Sequence, residues 1–73
     1  MSSMVKIIFA ENLKLLMKEN ELNQVKLSSI TGISQSAISA WLLGKKEPSI
    51  TSLWILSDLF CCSIDELVGK EKL

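Results

Sequence analysis

Gly32 divides the most informative stretch of the chain, QVKLSSITGISQSAISAWLL over residues 24–43, into two short segments with helical patterning. Leu27 and Ile30 give the first segment an apolar side at helical spacing. A glycine takes φ > 0 with little strain, so Gly32 can end one helix and redirect the chain. Ser34 is a strong N-cap residue, and Ile38 with Trp41 supplies the apolar side of the next helix. The rest of that helix is slim and uncharged: Gln35, Ser36, Ala37, Ser39 and Ala40. A solvated helix normally carries Lys and Glu on its free face. One with small hydrogen-bonding residues there can approach another surface closely, such as the floor of a DNA major groove.

The remaining elements follow from the same signals. Helix one is expected from about Ile7 to Glu19, with Phe9, Leu13, Leu16 and Met17 on its inner face. Asn20 and Glu21 form a connection, Leu22 plugs it, and Asn23 caps helix two, which ends near Thr31. Helix three runs from about Gln35 to Leu42 or Leu43 and is stopped by Gly44. Glu47-Pro48 breaks the pattern. Ser49 caps helix four, whose core set is Leu53, Leu56, Leu59 and Phe60. Ser63 caps a last short helix that ends at Gly69, and its early acids complement the helix dipole. The domain is thus expected over residues 7–69, with loose ends at 1–6 and 70–73. A chain of 73 residues, 48% hydrophobic, can bury one small core. Its short connections favour an all-α bundle. A domain of this size also gains from a partner chain.

Eight lysines balance eight acids, and the sequence contains no Arg and no His. Their distribution is uneven. Residues 1–46 hold six Lys against three acids, and residues 47–73 hold two Lys against five acids. The first part, which contains the paired helices, is therefore the one suited to meet phosphate. Cys61 and Cys62 are adjacent, a spacing that disfavours a relaxed disulfide. With no His and no second Cys pair, no zinc site is expected. No secretory signal and no apolar run of about 20 residues is present, which points to a reducing cytoplasm and away from a membrane. The lack of a metal constellation or a glycine-rich phosphate loop argues against an enzyme and against a cofactor. Helix four poses a separate problem. Leu53, Trp54, Ile55 and Leu56 are consecutive and sweep most of a helix circumference, so apolar surface must remain outside. Such a patch marks a partner surface.

Taken in order, Leu22-Asn23-Gln24, Leu27, Gly32-Ile33-Ser34, Ala37-Ile38-Ser39 with Trp41, Gly44-Lys45, Pro48-Ser49 and Ser63-Ile64-Asp65-Glu66-Leu67 form a pattern. It resembles the Cro/repressor-type helix-turn-helix family, which includes phage repressors and xenobiotic-response-element regulators. The resemblance extends over most of residues 9–69. It implies a five-helix domain of the lambda-repressor-like type that regulates transcription, in repressor fashion, by binding double-stranded DNA at a near-palindromic operator. It also implies a homodimer and no small-molecule ligand.

Carried onto this sequence, the resemblance implies base contacts from Gln35, Ser36, Ser39 and Ala40. Gln can bond adenine N6 and N7 together, Ser donates or accepts, and the Ala40 methyl can meet thymine or serve as a neutral spacer. It implies phosphate contacts from Gln24 and Ser34, each at a helix start, and from Lys45 and Lys46. The plainer alternatives are a solvated first turn for Gln35 and Ser36, and two solvated lysines near a helix C-terminus. Trp41 is expected in the core. Trp54 and Ile55 are the candidates for a dimer interface. The family's frequent Arg–Glu pair is replaced by Met17 and Leu42, an exchange that leaves a fold intact. Its usual Ala in helix two is Ser28, read as a small change, and its basic residue ahead of the aromatic is Ala40. The Gly or Asn usual before the last helix is Cys61, at a position that calls for φ > 0. An antitoxin-like or accessory protein-interaction module of the same fold is the competing reading.

Overall fold

The computed structural model describes residues 2–73. It is all-α, with helices α1 (Ser2–Glu19), α2 (Gln24–Thr31), α3 (Gln35–Leu42), α4 (Ile50–Phe60) and α5 (Ile64–Val68). The caps read from the sequence are in place. Asn23, Ser34, Ser49 and Ser63 each accept a hydrogen bond from a backbone N–H in the first turn of the helix that follows. Ser63 and Glu66 form a reciprocal capping box. This matters because α5 has five residues and could not persist alone.

Each helix contributes to one core. Phe9, Leu13, Leu27, Ile38, Leu56 and Leu67 are fully buried, and Leu16, Met17 and Trp41 join them. Helix α1 is the spine. It packs against α3 and α5, while α2 packs on α3 and α4 on α5. Met17 is buried and Leu42 packs against the same cluster, so both positions where the resemblance implied an Arg–Glu exchange are apolar contacts of the core.

Several expectations need correction. Helix α1 begins at Ser2, not Ile7, so residues 2–6 of the expected loose arm are helical; Met1 lies outside the described residues. No Gly or Pro interrupts Ser2–Ile7. Early α1 is also held by tertiary contact, because the Ile8 side chain lies against the backbone at Gly69. Ile30, read as part of the inner side of α2, is 53% exposed. Helix α2 is eight residues long and buries Leu27 only. Cys62 is half-buried and Cys61 exposed, and both thiols are free. Burial first, then the Glu66 carboxylate and Cys61, push the Cys62 thiol up from its ordinary value.

Cys61 adopts φ 54° and ψ 44° as the left-handed C-cap of α4. The backbone N–H groups of Cys61 and Cys62 both donate to the Ser57 carbonyl. A non-glycine residue in this conformation carries roughly 1–2 kcal/mol of strain. Glu21 does the same after α1, with φ 55°. There the Leu22 N–H donates to the Met17 carbonyl at 2.8 Å.

The apolar surplus expected on α4 is present. Leu56 is buried, Leu53, Leu59 and Phe60 pack against the core, and Trp54 remains 65% exposed. Ile55 is half-buried. Ile50, which the sequence pattern did not single out, is 80% exposed one helical turn before Trp54. Residues four apart share a helix side, so Ile50 and Trp54 form one outward row.

Candidate nucleic-acid interface

Two short helices and residues 32–34 between them build the site. Asn23 Oδ1 accepts from the Lys26 N–H at 2.8 Å and opens α2. Gly32 closes it at φ 77°, its N–H donating to the Ser28 carbonyl at 2.8 Å. Two side chains then pin the turn. Ser28 Oγ donates to the Ile33 carbonyl at 2.6 Å. Thr31 Oγ1 donates to the Leu27 carbonyl at 2.7 Å and accepts from the Ile33 N–H at 3.1 Å. Ser28 therefore does more than replace a small residue, because it satisfies a carbonyl that a bare methyl would leave to solvent. Ser34 Oγ accepts from the Ala37 N–H at 3.2 Å and opens α3.

Helix α3 is anchored by its inner side. Ile38 and Trp41 are buried, and the Trp41 ring meets Phe9 of α1 edge-on, with centroids 5.6 Å apart and planes at 78°. Its end is set by Gly44, at φ 71°. The Gly44 N–H donates to the Trp41 carbonyl at 3.0 Å, and the Lys45 N–H to the Ala40 carbonyl at 2.9 Å. This pair of bonds is a Schellman closure, and it turns the chain sharply into Lys45 and Lys46.

The outward side of α3 carries the expected base-reading residues. Gln35 and Ser36 are exposed, and Ser39 and Ala40 are half-buried. By helical spacing they fall into two adjacent rows, Gln35–Ser39 and Ser36–Ala40. Lys45 and Lys46 are exposed just past the helix. Ser34 is exposed, with its hydroxyl occupied in the cap, and Gln24 is half-buried at the first position of α2. Trp54 and Ile55 lie on α4, outside this unit.

Leu43 was missed as a member of the outward face. It is 66% exposed and extends the Gln35–Ser39 row by one more turn. The i+4 spacing was a usable signal, but an apolar residue at a helix end reads as core rather than as part of an outward face. Asn12 was also missed. Its Nδ2 donates to the carbonyls of Glu66 at 3.0 Å and Leu67 at 3.2 Å, fastening α5 to α1. No helix among the described residues is long and apolar enough to cross a membrane.

A profile described as "Helix-turn-helix" matches residues 13–67. The chain is similar to the HTH-type transcriptional activator BcrR of Enterococcus faecalis, 38% identical over 65 residues, which cover 89% of this chain and 32% of that protein. It is also similar to the uncharacterized HTH-type transcriptional regulator YqaE of Bacillus subtilis, 34% identical over 64 residues, covering 88% of this chain and 55% of YqaE. Among solved structures, a transcriptional regulator from Listeria innocua aligns with a TM-score of 0.78 at 34% identity, covering 89% of this chain and 61% of that one. The chain thus spans about a third to three fifths of the length of these proteins.

Proposed function

Because this chain belongs to the Cro/C1-type helix-turn-helix family, we propose that it is a sequence-specific, repressor-like transcriptional regulator that lays α3 in the major groove of double-stranded DNA. The observation that carries this reading is the slim, uncharged, outward face of α3, held by a pinned turn and ended by two exposed lysines. Gln35, Ser36, Ser39 and Ala40 meet base edges in this reading. Gln24, Ser34, Lys45 and Lys46 meet phosphate. The protein acts without catalysis, cofactor or small-molecule ligand, in a bacterial or phage-type cytoplasm.

The division between the two sets is testable. Gln35→Ala should cost roughly 1–3 kcal/mol at a preferred duplex and relax selectivity at one base pair. Lys45→Ala should weaken all duplexes alike and flatten the salt dependence by about one unit of slope. Titrations of preferred and scrambled duplexes at several salt concentrations measure both. Equal loss of selectivity from the two substitutions would refute the assignment.

The reading includes a homodimer. One recognition helix reads few base pairs, and two-fold pairing sets two such helices about 34–36 Å apart on a near-palindromic site. Trp54, 65% exposed, and the half-buried Ile55 supply apolar surface on α4. Residues 47–73 are net acidic, which suits a side turned away from DNA. Ile55→Lys should shift the protein toward monomer and lower operator affinity while its circular dichroism is unchanged. Sedimentation at several concentrations, with and without a palindromic duplex, checks this. A wild-type protein that stays monomeric throughout and binds DNA one to one would sink it. The zero net charge favours one competing reading, a protein-interaction module of the same fold. Tight capture of a protein partner, with no duplex binding even at low salt, would select that alternative.

A further inference from the structure

We infer that α3 selects A·T over G·C base pairs, an inference that rests on the DNA-binding reading above. Guanine presents two acceptors in the major groove, O6 and N7; the side chains that grip both together are Arg and Lys, while a serine hydroxyl can donate to only one of them. Helix α3, QSAISAWL, contains neither, and the sequence contains no Arg at all. Lys45 and Lys46 follow the Schellman closure at Gly44, beyond both outward rows. Cytosine presents an N4 donor that a carboxylate accepts. Helix α3 has no Asp or Glu.

What the face does carry matches the other base pair. Adenine offers an N7 acceptor beside an N6 donor, and the exposed Gln35 amide holds both complementary groups. Thymine carries the only methyl group on the groove floor. The outward rows hold two apolar side chains that can cover such a methyl. Ala40 is half-buried in the second row, and Leu43, 66% exposed, ends the first. Ser39 precedes both, one turn before Leu43 in the same row, and is able to donate or accept. The face is therefore one amide, two apolar contacts and adaptable hydroxyls, a set that recognises adenine and thymine. Leu43 becomes a specificity-determining residue in this scheme.

The first arm of the test changes only the DNA, which leaves the fold of the protein untouched; protein variants then assign each effect to a side chain. Duplexes retained from a random pool at low salt should carry A·T pairs in the part of each half-site facing α3. Replacing single thymidines there by deoxyuridine removes the methyl and keeps the pairing. At one or two positions this should weaken binding roughly threefold to fivefold. The penalty should vanish at one of them in Ala40→Gly or Leu43→Ser and persist at the other. Replacing the adenine opposite Gln35 by 7-deazaadenine should cost roughly 5- to 150-fold, and little further in Gln35→Ala. A half-site rich in G·C and sensitive to 7-deazaguanine would overturn the inference and leave DNA binding standing. So would retained duplexes indifferent to uracil throughout. Failure to retain any duplex at any salt would overturn both readings.

Discussion

Trp41→Ala should bring the protein to the edge of unfolding. Trp41 closes the inner side of α3, is 4% exposed, and sets its ring edge-on against Phe9 of α1. Removing a buried Trp costs roughly 3–5 kcal/mol, through lost transfer free energy and the cavity left behind. A chain of 73 residues has roughly 4–11 kcal/mol of total stability at the usual value per residue. The loss is therefore a large share of what holds the fold. Because Trp41 belongs to α3 and contacts α1, the first consequence is an α3 no longer fixed relative to α1. Urea unfolding followed by circular dichroism should show the midpoint fall steeply. Trp54→Ala, unfolded at a concentration low enough to keep the protein monomeric, is the control, since Trp54 is largely exposed in the single chain and its loss there should move stability by less than about 0.5 kcal/mol. Equal midpoint shifts for the two tryptophans would contradict this account of the core.

Gly69→Ala should destabilise by roughly 2–4 kcal/mol, although it adds one methyl at the surface. Two costs combine. Gly69 sits at φ 90°, where an L-residue is strained. A Cβ there would also come within 2.5 Å of Ile8 Cγ2, a branch too near its own backbone to swing away. The overlap must push α5 off α1 or force Ile8 out of its rotamer. Ile8→Ala opens the space, so the double variant should lose less than the sum of the single ones. A double-mutant cycle by thermal or urea unfolding measures this coupling. Strict additivity would mean that the contact has no energetic weight.

These residues also mark where reading the sequence succeeds and where it stops. Asn23, Ser34, Ser49 and Ser63 were legible because capping is local chemistry, settled within a turn of the cap itself. Leu13, Leu27, Ile38, Leu56 and Leu67 were legible as apolar members of helical or capped segments. Ile30 misled because a three-residue step from Leu27 suggests a shared side, but α2 is too short to dock more than one residue deeply. The start of α1 and the role of Asn12 were out of reach, since their partners Gly69, Glu66 and Leu67 lie at the other end of the sequence. The face of α3 was readable from periodicity. Leu43 escaped because hydropathy suggests burial, whereas here the position on the helix decides.

The fastening of α5 to α1 has a consequence in time. Asn12 bonds across 54 and 55 positions, and Ile8 meets Gly69 from still further away. The α2–α3 pair, by contrast, joins neighbours through a three-residue turn held by its own side chains. Contacts between sequence neighbours close quickly, and those between distant ones wait for a long loop to close. When the chain refolds from denaturant, the paired helices can therefore meet before residues 66–69 reach α1. The element that would touch DNA is thus the earliest to take shape, and the spine behind it is completed only by the slowest loop closure.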